Sequence, residues 1–135
     1  MPKRINTLFL LLIAAHFIHA TEEYFGKLWD VYRPAIYICK QVSSDPRAGF
    51  LIINISFIFI SLMFWKFVLL KGYSTTPGLI WFWILLQSVN VTGHIVWTII
   101  SKSYTPGIIS ALLILTILTF LIRDIQNFSS ADRSV

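Results

Sequence analysis

Four titratable side chains crowd the end of the first apolar run. His16, His19, Glu22 and Glu23 lie together in "HFIHATEE". A helix advances about 100° per residue, so the four fall within about 120° of one another and form one chemically active face. Imidazole and carboxylate are the ligands of zinc, and also of non-haem iron and manganese. They are equally the usual general acids and bases. His19 and Glu23 stand one turn apart and can ligate one ion. Glu22 is then a base for an activated water, or a second ligand. Adjacent carboxylates repel, so one proton or one cation is expected to be shared between Glu22 and Glu23.

A second polar stripe complements the first. Gln87, Asn90, His94, Thr98 and Ser101 recur in steps of three and four and form one seam of a helix, with Trp81, Trp83, Val89 and Val96 expected on the other side. His94 is expected to complete a three-ligand site with His19 and Glu23, leaving an open position, which is the catalytic form of such a centre. Asn90 fits a supporting role, since an amide holds a histidine tautomer or a carboxylate. His16 faces the same space one turn deeper. Tyr104 offers a hydroxyl to an oxyanion or a substrate. The plainer alternatives are interhelical hydrogen bonds that fix a bundle, an interfacial tyrosine anchor, and Pro106 and Gly107 as helix-start residues without chemistry.

The elements that must position these groups are membrane helices. Of 135 residues, 56% are hydrophobic and 13% charged, with a mean hydropathy of +0.74. A soluble domain carries about a quarter charged residues. Apolar blocks at 5–25, 49–70, 78–100 and 106–122 each approach the roughly 20 residues that cross a bilayer. The expected fold is therefore all-α, one membrane domain of four transmembrane helices. Phe25, Leu28, Trp29, Tyr32 and Ile36 recur at helical spacing after the first block, which predicts an amphipathic interfacial helix broken near Pro34. Thr76 and Thr105 are expected to cap the third and fourth helices, with Pro77 and Pro106 at their first positions. Residues 123–135 read as a polar tail. The five tryptophans suit packing and the interfacial belt.

The net charge of +5 is spread between apolar blocks, where it anchors helix ends at headgroups and excludes a nucleic-acid footprint. The expected partners are membrane lipids and a lipid-soluble substrate. The single cysteine, Cys39, excludes an internal disulfide framework. An even number of spans puts both termini on one side. The basic residues there (Lys3, Arg4, Lys66, Lys71, Arg123, Arg133) face Lys27, Arg33, Lys40, Arg47 and Lys102 on the other, which leans toward cytoplasmic termini in a cell or inner membrane. A secretory signal cut after Ala20 is the rival reading of the first block. Ile18 is large for its place before such a cut, and cleavage would separate the histidines from the glutamates.

Depth brings the two stripes together. At about 1.5 Å per residue, His19 lies roughly 21 Å and the glutamates roughly 26 Å into the first block. Asn90 and His94 lie roughly 18 and 24 Å into the third, which runs in the same direction. The fourth helix starts in that leaflet, beside Tyr104. A charge at the middle of a membrane helix costs roughly 2.5–3.5 kcal/mol, so such groups are usually functional.

"HATEE" (19–23), "NVTGH" (90–94) and "YTPG" (104–107) occur in this order, and the set resembles the His-x-x-Glu-Glu, Asn-x-x-x-His and Tyr-x-Pro-Gly elements of the HXXEE domain family. The resemblance covers most of the chain, from Leu8 to about Leu121. It implies an integral membrane protein of a family regarded as candidate enzymes, and a site at these residues, without naming a substrate. It also argues against a cut after Ala20, which would split the signature. Three functions are then open. The first is a membrane enzyme, metal-dependent or using Glu22 or Glu23 as base with His19 and His94 as partners. The second is a proton or cation carrier using the same groups. The third is a structural protein held by a polar clasp.

Overall fold

The structure, a computed structural model, describes residues 1–132. Every regular element among them is helical: α1 (Lys3–Phe25), α2 (Leu28–Val31), α3 (Arg33–Val42), α4 (Pro46–Phe64), α5 (Thr76–Ser101) and α6 (Ile108–Asp132). Residues Trp65–Leu69 extend α4 by a wider turn of π geometry. Four of these helices are long and apolar enough to cross a membrane, namely α1, α4 with its extension, α5 and α6.

Burial shows which faces pack. α1 turns Ile5, Phe9, Leu12, His16, His19 and Glu23 inward, at the three-and-four spacing of one helix face. α5 turns Thr76, Ile80, Trp83, Gln87 and His94 inward. α6 contributes Ala111, Ile114, Leu118, Leu121 and Ile125. Exposed Phe17, Ile55, Phe59, Val89, Ile99 and Ile109 cover the outside, as a lipid-facing surface requires.

α6 runs antiparallel to α1 and is pinned to it at both ends. Arg4 Nε lies 2.7 Å from Asp124 Oδ2 at one end. The Ser110 backbone N–H donates to Glu22 at 2.8 Å at the other. α5 packs on α6, and α4 packs on α1. Trp83 joins α4 and α5 at the deep end, edge-on to Phe57 with ring centroids 5.0 Å apart.

The segment expected to be amphipathic after the first block is helical and breaks at Tyr32, two residues before Pro34. Tyr32 is extended (φ −109°, ψ 108°), and a new helix starts at Arg33 with Pro34 in its first turn, where a missing N–H costs nothing. Leu28 and Trp29 are buried, whereas Phe25 is exposed and lies off the packed face. α3 lies on α4 so closely that a Cβ at Gly49 would stand 2.2 Å from the Cys39 carbonyl oxygen.

Three boundaries differ from expectation. α5 starts at Thr76 with Thr75 before it, and no side chain caps it. α6 starts at Ile108, so Thr105, Pro106 and Gly107 form a turn ahead of the helix. Thr105 instead pairs its hydroxyl with Thr98. Residues 123–132 belong to α6, held by the Arg4–Asp124 pair and the buried Ile125, so the polar tail does not begin at 123. Residues 133–135 lie outside the described residues. Trp83, expected on the outward side of α5, is buried on the same seam as Gln87, four residues on.

Candidate functional site

α1 and α5 run parallel, and three rungs join them at one constant offset of 71 residues. His16 Nδ1 meets the Gln87 amide nitrogen at 3.2 Å. His19 Nε2 meets the Asn90 amide nitrogen at 3.0 Å. His94 Nε2 meets Glu23 Oε1 at 2.9 Å. Equal offsets mean that two helices of equal rise keep register over two turns. Below the rungs the same faces turn apolar, with Phe9 edge-on to Trp83.

Glu23 joins the two histidines. Its Oε1 lies 2.9 Å from His94 Nε2 and 3.3 Å from His19 Nε2. One ligand atom from each of His19, Glu23 and His94 falls within 4.8 Å of the other two, and all three residues are buried. The two imidazoles meet edge to face, with centroids 4.7 Å apart.

Glu22 does something else. Its Oε1 accepts from the Tyr104 hydroxyl (2.8 Å) and the Ile109 backbone N–H (3.2 Å). Its Oε2 accepts from the Ser110 N–H (2.8 Å) and the Ser110 hydroxyl (2.5 Å). The carboxylate thus caps the start of α6 from another helix, where free N–H groups and the helix dipole favour negative charge. Glu22 and Glu23 are therefore engaged with different partners. They are adjacent in sequence, about 100° apart on the helix, and face different neighbours. Burial, and then hydrogen bonding to Glu22, push the Tyr104 phenol above its ordinary range, so it remains the donor.

The hydrogen-bond directions set the protonation of His19. A hydroxyl has one proton. Ser110 gives its proton to Glu22, so it accepts from His19 Nδ1, 2.9 Å away. In the neutral ring His19 then carries its proton on Nδ1 and accepts at Nε2 from the Asn90 amide N–H, 3.0 Å away. This is the arrangement by which an outer carboxylate fixes a ligating histidine, here relayed through one hydroxyl.

The turn before α6 presses on this cluster. Gly107 has φ +92°, and a Cβ there would stand 2.6 Å from His94 Cε1 and 2.9 Å from His19 Cε1. Gly107 is thus shaped to the site and is more than a helix-start residue. Ser110 is the residue that sequence reasoning missed. Its only signal was a serine in the first turn of an apolar helix.

A cavity of about 430 Å³ opens beside the cluster, between α1, α3, α4 and α5. Glu23, His94, Asn90, Gln87 and His16 form its polar wall. Tyr104 and Glu22 lie outside it, at the start of α6. The structure thus gathers His16, His19, Glu23, Asn90 and His94 in one place and sets Glu22 and Tyr104 in an adjoining layer.

No curated protein and no solved structure matches the chain. A family model described as "Protein of unknown function with HXXEE motif" matches residues 10–122, a span that holds every residue of the cluster. One signature glutamate, Glu23, and both signature histidines meet at one buried point, and with its match over most of the chain the protein belongs to the HXXEE family.

Proposed function

We propose that the protein is an integral membrane enzyme that performs hydrolytic or acid–base chemistry on a lipid-soluble substrate, with its termini cytoplasmic. The observation that carries this reading is the convergence of His19, Glu23 and His94, within 4.8 Å, with Glu23 and His94 on the wall of a cavity large enough for a small ligand. Three donors of this chemistry fit zinc, iron or manganese. A cation held by them supplies Lewis acidity toward a carbonyl oxygen. His19 contributes the Nε2 lone pair that Ser110 and Glu22 set free. Glu23 contributes Oε1, and His94 contributes Nε2 once its proton leaves. Without a cation, Glu23 is the group placed to take a proton, with His94 donating to it. Glu22 is fully engaged at the start of α6 and serves as a positioning residue, in place of the base role open to it from sequence.

A second reading, a proton or cation carrier, draws on the chain of hydrogen bonds from exposed Tyr104 through Glu22, Ser110 and His19 toward Glu23. A relay across the membrane needs polar groups in both leaflets. This one ends at His16 and Gln87, beneath which Phe9, Leu12, Ile80 and Trp83 are buried. The geometry therefore favours the enzyme.

The test is elemental analysis of protein purified in detergent without a metal-affinity column. Near-stoichiometric zinc, iron or manganese in wild type, lost in His19→Ala and His94→Ala, is the expected result. Metal-free, well-folded wild type removes the metal-dependent form of the proposal.

A further inference from the structure

His16 is 7% exposed, and its two ring nitrogens are unequal. Nδ1 receives the Gln87 amide N–H, which places the ring proton on Nε2. That buried Nε2 has no hydrogen-bond partner. The ring itself is held against Phe57, with centroids 4.4 Å apart. A neutral, unpartnered N–H donor inside an apolar bundle is costly unless something accepts from it.

His16 lies on the wall of the 430 Å³ cavity, about two turns below Glu23. The rest of the wall is mainly apolar, including Leu28, Ala35, Ile38, Ile53 and Leu86, with the Asn54 side chain close enough to interact with the His16 ring. Among the described residues no lysine or arginine lines it. Trp83 and Phe57 close the deep end, and Tyr32 stacked on Trp97 at 4.4 Å closes the interfacial end. At the rim Ile38 of α3 and Leu86 of α5 are exposed, so a ligand enters past apolar side chains. Its body is apolar, and its oxygen meets neutral donors with no cation to offset a phosphate.

We infer that this cavity, entered past Ile38 and Leu86, is a binding site for a single-chain lipid with a neutral carbonyl head, a fatty acyl ester, whose carbonyl oxygen accepts the His16 Nε2 proton. This names the substrate class of the proposed enzyme and rests on that reading for turnover alone. Turnover adds water across the acyl C–O bond and yields the fatty acid and the alcohol. Binding stands by itself.

The experiment is native mass spectrometry of the full chain released from detergent with methyl palmitate, and in parallel with hexadecyl methyl ether, which has the chain without the carbonyl. The expected result is one methyl palmitate per chain. His16→Phe keeps the ring on Phe57 and removes the donor, so it should weaken the ester about tenfold, the worth of one buried hydrogen bond, and leave the ether unchanged. Ala35→Trp, which fills the cleft, should abolish both adducts. Absence of a one-to-one ester adduct overturns the inference. So does equal ester binding by His16→Phe, or a phospholipid that outcompetes the ester. Metal content of the same wild-type sample separates the two proposals. Ester binding without metal keeps this site and removes the metal centre, and metal without ester binding does the reverse.

Discussion

Ser110→Ala isolates the hydrogen-bond logic of the cluster. The substitution deletes one hydroxyl and leaves the Ser110 N–H donating to Glu22 at 2.8 Å, so the start of α6 stays capped. The hydroxyl's bonds to Glu22 Oε2 at 2.5 Å and to His19 Nδ1 at 2.9 Å are lost, together with a longer one to the Gly107 carbonyl at 3.3 Å. His19 is fully buried, so its Nδ1–H is left without an acceptor, a cost of about 1–3 kcal/mol. The ring escapes part of that cost by moving its proton to Nε2, beside Glu23 Oε1 at 3.3 Å. That move consumes the lone pair proposed to ligate a cation. Loss of such an outer partner typically weakens metal affinity by about 10–100-fold. Two assays read the two effects. Long-range ¹⁵N–¹H correlation reports which His19 nitrogen carries the proton, and chelator competition reports zinc affinity. Ser110→Thr retains a hydroxyl and should restore both. An unchanged His19 tautomer in Ser110→Ala, with zinc affinity within twofold of wild type, would refute the relay from Glu22 to His19.

Gly107→Ala should destabilise the protein and loosen the cluster together. The residue sits at φ +92°, and the added Cβ meets both imidazoles. Strain of this kind costs about 1–3 kcal/mol before the clash is counted, so thermal unfolding in detergent should start at lower temperature, and an unchanged midpoint would contradict the packing. Cys39 reports the cavity from its other side. Burial, and then the charge of Glu23, push its thiol above the ordinary range. The thiolate is the reactive form, so maleimide labelling should be slow at neutral pH and rise as pH climbs past about 8.5. Glu23→Gln removes one of the two causes, so the labelling curve should move to lower pH. A curve that stays in place would show that Glu23 and Cys39 do not share this space.

Much of this arrangement is legible in the sequence, and the reason is geometric. His19 with Asn90 and Glu23 with His94 sit at matching depths because α1 and α5 are parallel and rise equally per residue. Four spans force that parallelism. Depth is therefore readable from counting, and the polar seams are readable from period. Direction is less so. The wheel places Glu22 and Glu23 about 100° apart, yet which neighbour each meets depends on α6 arriving beside α1, a packing outcome with no local signal. The same holds for Ser110, an ordinary first-turn serine until α1 lies against it. Thr105 and Pro106 mislead for a related reason. Thr-Pro-Gly reads as a helix start by propensity, but the chain needs an extra turn there to bring Gly107 over the histidines.

The split between the two glutamates bears on what the cluster can do. Two adjacent carboxylates facing one space would repel and have to share a counter-charge. The fold avoids this by giving Glu22 the start of α6, where backbone N–H groups and a phenol accept its charge without any cation. Glu23 is then the sole carboxylate at the cavity wall among the described residues, with two imidazoles and no lysine or arginine beside it. A lone buried carboxylate with two imidazoles is a poor structural clasp, since apolar packing holds helices as well without burying a charge. It is a good place to hold a cation or take a proton. The structural role therefore falls mainly to Glu22, and in the proposed function the chemistry falls to Glu23.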